Sequence, residues 1–306
     1  MEPSLPATGT VPSLSLEAAL LTRGDWLLPG NDQPAQLLRR LEGGLSNISF
    51  LLQVGDDQLV LRLDTASSSI FGLDRFNEVE ILTQAVQMEL APNIIYASAK
   101  QGLLVTRYIP GVSCSADQTK NPEFIVKLAR LLQQVHLLNP PALTLNPKEK
   151  AEAYWAELYK LPTAHRFEFE VLRVPMNTLM DRAWRQYPAS CCCHNDLVSE
   201  NIVHHENRIF LLDWEYAALG DPYFDLAALV LNFNMNQRQT IELLAAYEGR
   251  FEPGAELHLR SSKAIYLYLE LLWYQLQGQV TNNERLLQFA KQRQPRLTQL
   301  LHEEAR

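Results

Sequence analysis

Three oxygen-bearing side chains stand at a spacing suited to phosphate chemistry. His194, Asn195 and Asp196 are followed by Asn201, five residues beyond Asp196, and then by the run Phe210-Leu211-Leu212 that ends in Asp213. Written as types, this is H-x-D-x-x-x-x-N, a hairpin's length of chain, and D. Transfer of a phosphoryl group to a hydroxyl asks for such a set. One carboxylate, Asp196, accepts the proton of the attacking hydroxyl, while an amide and a second carboxylate, Asn201 and Asp213, hold the magnesium ions that neutralise the phosphates. The eight-residue pattern alone arises easily by chance; its combination with an Ile/Leu-rich return strand and an Asp is much rarer.

The elements that must position these residues follow from periodicity and turn residues. Asn201 to His204 and Arg208 to Leu212 read as a short hairpin around Glu206-Asn207. Asp221-Pro222 reads as a helix start, with Asp221 at the cap and Asp225 among apolar neighbours in the first turns. A buried carboxylate there needs partners, and the backbone of the loop at His194 is the nearest supply. Upstream lie strands at Gln36–Leu41, Ile48–Val54, Leu59–Leu63, Asn93–Ala97 and Gly102–Ile109, with one helix at Leu73–Leu90 whose apolar face is Phe76, Val79, Ile81, Leu82, Val86 and Leu90. The turn Gly43-Gly44-Leu45-Ser46-Asn47 offers backbone N–H groups, a hydroxyl and an amide to an anion, although the same residues also suit an ordinary hairpin. From Pro122 the pattern is helical: a helix to Leu138 carrying His136, which reads as a packing histidine, then Lys148–Tyr159, Phe167–Tyr187, Gln237–Gly249, Glu256–Gln277 and Asn283–Glu304.

Composition narrows the classes of function. The chain has 306 residues, 47% hydrophobic content and net charge -8, enough for two packed lobes. Without a block of Lys and Arg, nucleic acid is not an expected partner. No run approaches the ~20 apolar residues of a membrane span, so membrane insertion is not expected and the chain reads as cytoplasmic. Residues 1–12, rich in Pro, Ser and Thr, read as a disordered tail without the form of a signal peptide. Three of the four cysteines are consecutive, Cys191 to Cys193; neighbours in an extended chain face opposite ways, so the three are not expected to close on one metal.

His194-Asn195-Asp196, Asp213-Trp214-Glu215-Tyr216 and Asp221-Pro222-x-Phe224-Asp225 together resemble the choline kinase and aminoglycoside phosphotransferase superfamily, in particular the LicA-type choline kinases and the similar thiamine kinases of bacteria. The resemblance runs from about Leu41 to Trp273. It implies an α+β, protein-kinase-like two-lobe fold: a small five-stranded antiparallel N-terminal lobe with one helix (13–110) and a larger, mostly helical C-terminal lobe (111–306), with ATP and Mg2+ as cofactors. It implies Asp196 as catalytic base and Asn201 and Asp213 as metal ligands. Ser46 and Asn47 would lie over the phosphates, and Arg62 would stand in the place of the usual lysine with Glu78 as its partner. Thr106 and Tyr108 would flank a hinge that meets adenine, and His194 and Asp225 would brace the loop. Only eleven residues separate Asp213 from Asp225, too few for the activation segment of a protein kinase, which points to a small-molecule substrate.

For the substrate, Glu215, Tyr216 and Trp273 are the candidates, since a cation over aromatic faces gains about 0.5–2 kcal/mol. Trp214 reads as core, and the Tyr266, Tyr268, Trp273 and Tyr274 stripe reads as core or site. The expectation is a kinase for a hydroxyl of a small cationic metabolite, with choline first and thiamine second. The alternatives are an aminoglycoside or other antibiotic kinase, and a nucleotide-binding pseudokinase module.

Overall fold

The computed structural model describes residues 14–28, 30–41, 47–65, 68–161, 168–250 and 253–304. The tail at 1–12 and the turn at 43–46, including Ser46, lie outside the described residues. The chain divides into two compact units, Met1–Gly111 and Val112–Arg306.

The first unit runs α1 (Leu16–Leu20), β1 (Gln36–Leu41), β2 (Asn47–Val54), β3 (Asp57–Asp64), α2 (Arg75–Gln87), β4 (Ile94–Ser98) and β5 (Leu103–Arg107). Its strands make one antiparallel sheet in the order β1-β2-β3-β5-β4. The alternation of β3 sets the layout. Leu59, Leu61 and Leu63 enter a core with Leu52, Val54, Leu103, Val105 and Trp26, which sends Arg62 to the opposite face of the sheet. The helix departs from its sequence reading. Ile81, Leu82 and Ala85 are buried, but so are Arg75, Asn77 and Glu78, while Phe76 is 62% exposed. Ion pairing, rather than the apolar pattern alone, has set the rotation of α2.

The second unit comprises β6 (Val112–Ser113), α3 (Pro122–Val135), α4 (Pro147–Lys160), α5 (Arg173–Gln186), β7 (Cys191–Cys193), β8 (Ile202–His205), β9 (Arg208–Leu211), β10 (Ala218–Gly220), α6 (Pro222–Asn232), α7 (Gln237–Glu248), α8 (Pro253–Val280) and α9 (Glu284–Glu304). Helices α3, α4 and α6 begin with one device, an Asn or Asp cap followed by proline (Asn121-Pro122, Asn146-Pro147, Asp221-Pro222). The cap side chain accepts first-turn N–H groups, and proline has no N–H to leave unpaired. Helix α8 is the spine, packed by α4, α5, α6 and α9. Trp155 and Tyr268 are fully buried there, the indole N–H donating to the Tyr268 hydroxyl at 2.8 Å. Tyr268 thus belongs to the core. Strand β7 pairs with β10, and β6, β8 and β9 form a second small sheet; the loop between β7 and β8 carries the H-x-D motif. Among the described residues no helix is long and apolar enough to cross a membrane.

Candidate active site

The loop after β7 is shaped by one carboxylate. Asp225, in the first turn of α6 and fully buried, accepts the His194 N–H at 2.8 Å and the Asn195 N–H at 2.7 Å, and meets His136 Nε2 at 3.2 Å. Two successive backbone donors aimed at one carboxylate bend the chain, and Asn195 takes the left-handed conformation at φ 65°. Its side-chain amide reaches the Tyr216 carbonyl at 2.9 Å, fixing the left-handed turn that would otherwise be costly outside glycine.

His194 ties this loop to the hairpin. Its Nδ1 accepts the Asp196 N–H at 3.3 Å and its Nε2–H donates to the Leu212 carbonyl at 3.0 Å. Leu212 N–H in turn donates to the Asn201 carbonyl at 2.8 Å. Burial pulls the His194 pKa down to about 4, so the ring is a neutral spacer between Asp196 and the residue before Asp213. Asp213 follows in a left-handed conformation at φ 58°, the second non-glycine residue of the site held there.

Asp196 is half-buried, and Asn201 Nδ2 donates both to its carbonyl, at 3.0 Å, and to its carboxylate Oδ2, at 2.8 Å. Burial, with Glu215 next and Glu270 and Glu200 adding, pushes the Asp196 pKa up to about 7 against the hydrogen bond from Asn201. A carboxylate with raised proton affinity is a stronger acceptor for an alcohol proton near neutrality. The same two bonds turn the Asn201 amide so that Oδ1 is the atom left for a cation. An amide oxygen and the Asp213 carboxylate are hard ligands of the kind Mg2+ takes, so the residues present fit that ion.

Beside Asp196 the structure brings together Glu215, Tyr216 and Trp273. Glu215 is buried, and Trp273 Nε1–H donates to the Tyr216 hydroxyl at 2.9 Å. Two residues of α4 that the sequence reading passed over complete the group. The Lys150 ammonium lies 5.1 Å from the Tyr154 ring centre and 5.6 Å from that of Tyr216, in cation–π range of both. Burial lowers the Lys150 pKa to about 8, with Glu215 opposing the shift. Lys150 and Tyr154, four apart on a helix, share a face; that spacing was the available signal, but nothing local says which face of α4 meets the loop. Glu270 is bound through both carboxylate oxygens by Arg293, at 2.6 and 3.1 Å.

In the first unit, Arg62 and Glu78 do pair: Arg62 Nη2 donates to Glu78 Oε2 at 2.6 Å. A second cation, Arg75, unmarked in the sequence reading, donates to Glu78 at 2.8 Å, to Asp64 at 2.9 Å and to Asn47 Oδ1 at 2.9 Å. Burial opposes ionisation of Glu78, but the two guanidiniums outweigh it and hold its pKa below the usual 4.5. Its contribution to stability is therefore complete above that pH and fades as pH falls through the lowered value. Glu78→Gln, which keeps shape but leaves two buried guanidiniums facing a neutral group, is expected to destabilise the chain by about 1.5–3 kcal/mol at pH 7, read from urea unfolding. Thr106 is buried in β5, and the Tyr108 N–H donates to the Gln58 carbonyl at 2.9 Å. That amide is spent on the sheet, so any contact of Tyr108 with an adenine edge falls to its carbonyl.

The chain is similar to known proteins over most of its length. The model of the phosphotransferase enzyme family APH matches residues 37–260. The protein LicA homolog of Mycoplasma capricolum is 24% identical over 232 residues, covering 75% of this chain and 90% of that one. Among solved structures, the choline kinase LicA of Streptococcus pneumoniae superposes with a TM-score of 0.76 at 19% identity, over 92% of this chain and 96% of the other. A choline/ethanolamine kinase family protein of Mesorhizobium loti gives 0.71 at 24% identity, over 90% and 92%. An aminoglycoside phosphotransferase structure, a GDP and kanamycin complex, shares the protein-kinase-like fold at 0.60 and 16% identity, over 94% and 98%. Thiamine, the second choice on sequence, gains no support from these similarities. The family pattern spans residues 37–260, which take in the whole Asp196–Asp225 segment, and on that match the chain belongs to the phosphotransferase enzyme family.

Proposed function

We propose that this enzyme transfers the γ-phosphoryl group of ATP to the hydroxyl of a small mono-cationic amino alcohol, choline or its close relative ethanolamine. The observation that carries the reading is the position of Lys150. An ammonium already lies over Tyr154 and Tyr216 next to Glu215, the surroundings that a substrate ammonium requires, and the Tyr154 pKa is raised first by burial and next by the nearby carboxylate of Asp196. A cation held there presents a hydroxyl on a two-carbon arm toward Asp196. Asp196 takes the hydroxyl proton, and Asn201 positions its carboxylate. Mg2+, bound by Asn201 Oδ1 and Asp213, would offset the negative charge of the transferring phosphate. For the nucleotide we assign Arg62, paired with Glu78, together with Ser46 and Asn47 to the phosphate oxygens, and the Thr106–Tyr108 segment to the base.

The arrangement favours a single cation over an aminoglycoside. A polycation calls for several unpaired acids, whereas Glu270 is already neutralised by Arg293. The neutral isostere of choline, 3,3-dimethylbutan-1-ol, tests the reading. It keeps the hydroxyl and the shape but lacks the charge. Two rings at about 0.5–2 kcal/mol each put its kcat/KM about 5- to 1,000-fold below that of choline; equal values would contradict a cation-selective site.

Lys150 must leave or lose its proton when such a substrate binds. Lys150→Met, which keeps the apolar stem and removes the charge, is expected to lower KM for choline about 3- to 30-fold; a raised KM would contradict the competition between Lys150 and the bound cation. The same competition carries a pH signature. Glu215 is the acid whose charge acts on Lys150, and the hydroxyls of Tyr154 and Tyr216, raised well above 10 by burial, stay protonated. Choline has no titrating proton. As pH rises through about 8 the Lys150 ammonium is lost, so wild-type KM for choline should fall across that interval, and the Met variant should show no such fall.

A further inference from the structure

The alternation of β7 separates what the sequence reading grouped as three. Cys191 and Cys193 share one face and Cys192 takes the other, because side chains two apart on a strand point the same way. The Cys191 and Cys193 sulfurs lie 3.8 Å apart. A nitrogen of the His136 ring joins them, all three ligand atoms lying within 4.8 Å of one another. We infer that His136, Cys191 and Cys193 form a binding site for a thiol-seeking divalent cation, with Zn2+ as its best fit.

Four observations support the assignment. First, two Zn–S bonds of about 2.3 Å at a tetrahedral angle place their sulfurs about 3.8 Å apart, the separation already present. Second, His136 Nε2 faces Asp225 Oδ2 at 3.2 Å. A metal-bound imidazole commonly donates its other N–H to a carboxylate, which fixes tautomer and ring orientation. That leaves Nδ1 as the ligand. It now meets the Tyr247 hydroxyl at 2.7 Å, which would yield to the ion and stay beside it with a water as the fourth ligand. Third, charge balances: Zn2+ with two thiolates and a neutral imidazole is a neutral unit, and Cys193 is fully buried while Cys191 is half-buried, so the unit has a burial cost it can bear and a route in. Fourth, the groups come from separate elements: His136 caps α3, Tyr247 lies on α7, Asp225 on α6 and the cysteines on β7. An ion there would cross-link them directly behind His194 and Asn195, whose N–H groups share the Asp225 carboxylate with His136. Binding forms two Zn–S bonds and one Zn–N bond and releases the protons of both thiols to solvent.

The test uses the full chain, reduced and stripped with chelator, titrated with Cd2+ as a spectroscopic substitute and with Zn2+ alone. The expected result is a sulfur-to-cadmium charge-transfer absorption saturating at a single equivalent, lost in Cys191→Ser and in Cys193→Ser but kept in Cys192→Ser, whose side chain faces away. Zn2+ should also slow alkylation of Cys191 and Cys193 in the unmodified chain, located by peptide mass spectrometry, a readout that survives if a variant fails to fold. No charge-transfer band in the wild type, a band undiminished in Cys191→Ser, or alkylation indifferent to Zn2+ would each overturn the site and leave the two sulfurs as a buried thiol–thiol contact. None of these readouts depends on the phosphotransfer reaction.

Discussion

Asp196→Asn is expected to lower kcat by about 10²- to 10⁴-fold, the usual contribution of a positioned base, while nucleotide binding, followed by thermal shift with Mg-ATP, stays near the wild-type level. The substitution is nearly isosteric. Asn201 Nδ2 can still donate to the side-chain oxygen that replaces Oδ2, so the loop keeps its 2.8 Å contact and its shape. What is lost is a proton acceptor whose pKa burial and Glu215 have pushed up to about 7. The proton of the attacking hydroxyl then has no destination within the site. A kcat within a few-fold of wild type would remove Asp196 from the base role and leave it a loop-forming residue.

Asp225→Ala has the second-largest expected effect, and on stability. It strips the acceptor from two buried backbone N–H groups, those of His194 and Asn195, and from His136. Removing one side of a buried, hydrogen-bonded charge network costs about 3–5 kcal/mol, which should be visible as a lower urea midpoint of the Val112–Arg306 unit. Activity should fall with it even where the chain remains folded, because the left-handed Asn195 loses the contact that bends the loop and Asp196 is the next residue. A loss below about 1 kcal/mol would mean that water replaces the carboxylate and that the brace is dispensable.

How far the sequence discloses this site depends on the range of the contacts. The Asp196–Asn201 relation is local, five residues closed by a single turn, and its spacing alone conveys it. The need of Asp225 for partners followed from a charge in an apolar run, and two of those partners, the loop N–H groups, were legible. His136 reads as a packing histidine, and nothing local signals its place on Asp225, 89 residues away. Apolar periodicity puts Phe76 inward, whereas the observed rotation of α2 leaves it exposed. Arg75 instead turns inward to reach Asp64 and Asn47, 11 and 28 residues away, and a pattern of hydrophobicity has no means of representing such a pull. Lys150 and Tyr154 carry no local signal of their place for a related reason: the neighbour of each face of α4 is set by tertiary packing. The aromatic stripe of α8 divides in the same way, with Tyr268 in the core on Trp155 and Trp273 on Tyr216. The cysteines show the converse. Alternation separates Cys192 from its neighbours and brings Cys191 and Cys193 together.

The site around Asp196, Lys150 and Tyr216 is proposed to phosphorylate a small mono-cationic alcohol. The most direct measurement is ADP release from ATP with choline, ethanolamine and an aminoglycoside supplied separately, each with and without Mg2+. Turnover of choline or ethanolamine that requires Mg2+ and vanishes in Asp196→Asn is the result expected. Turnover of the aminoglycoside alone, or of an amino alcohol at the same rate in Asp196→Asn, would contradict it.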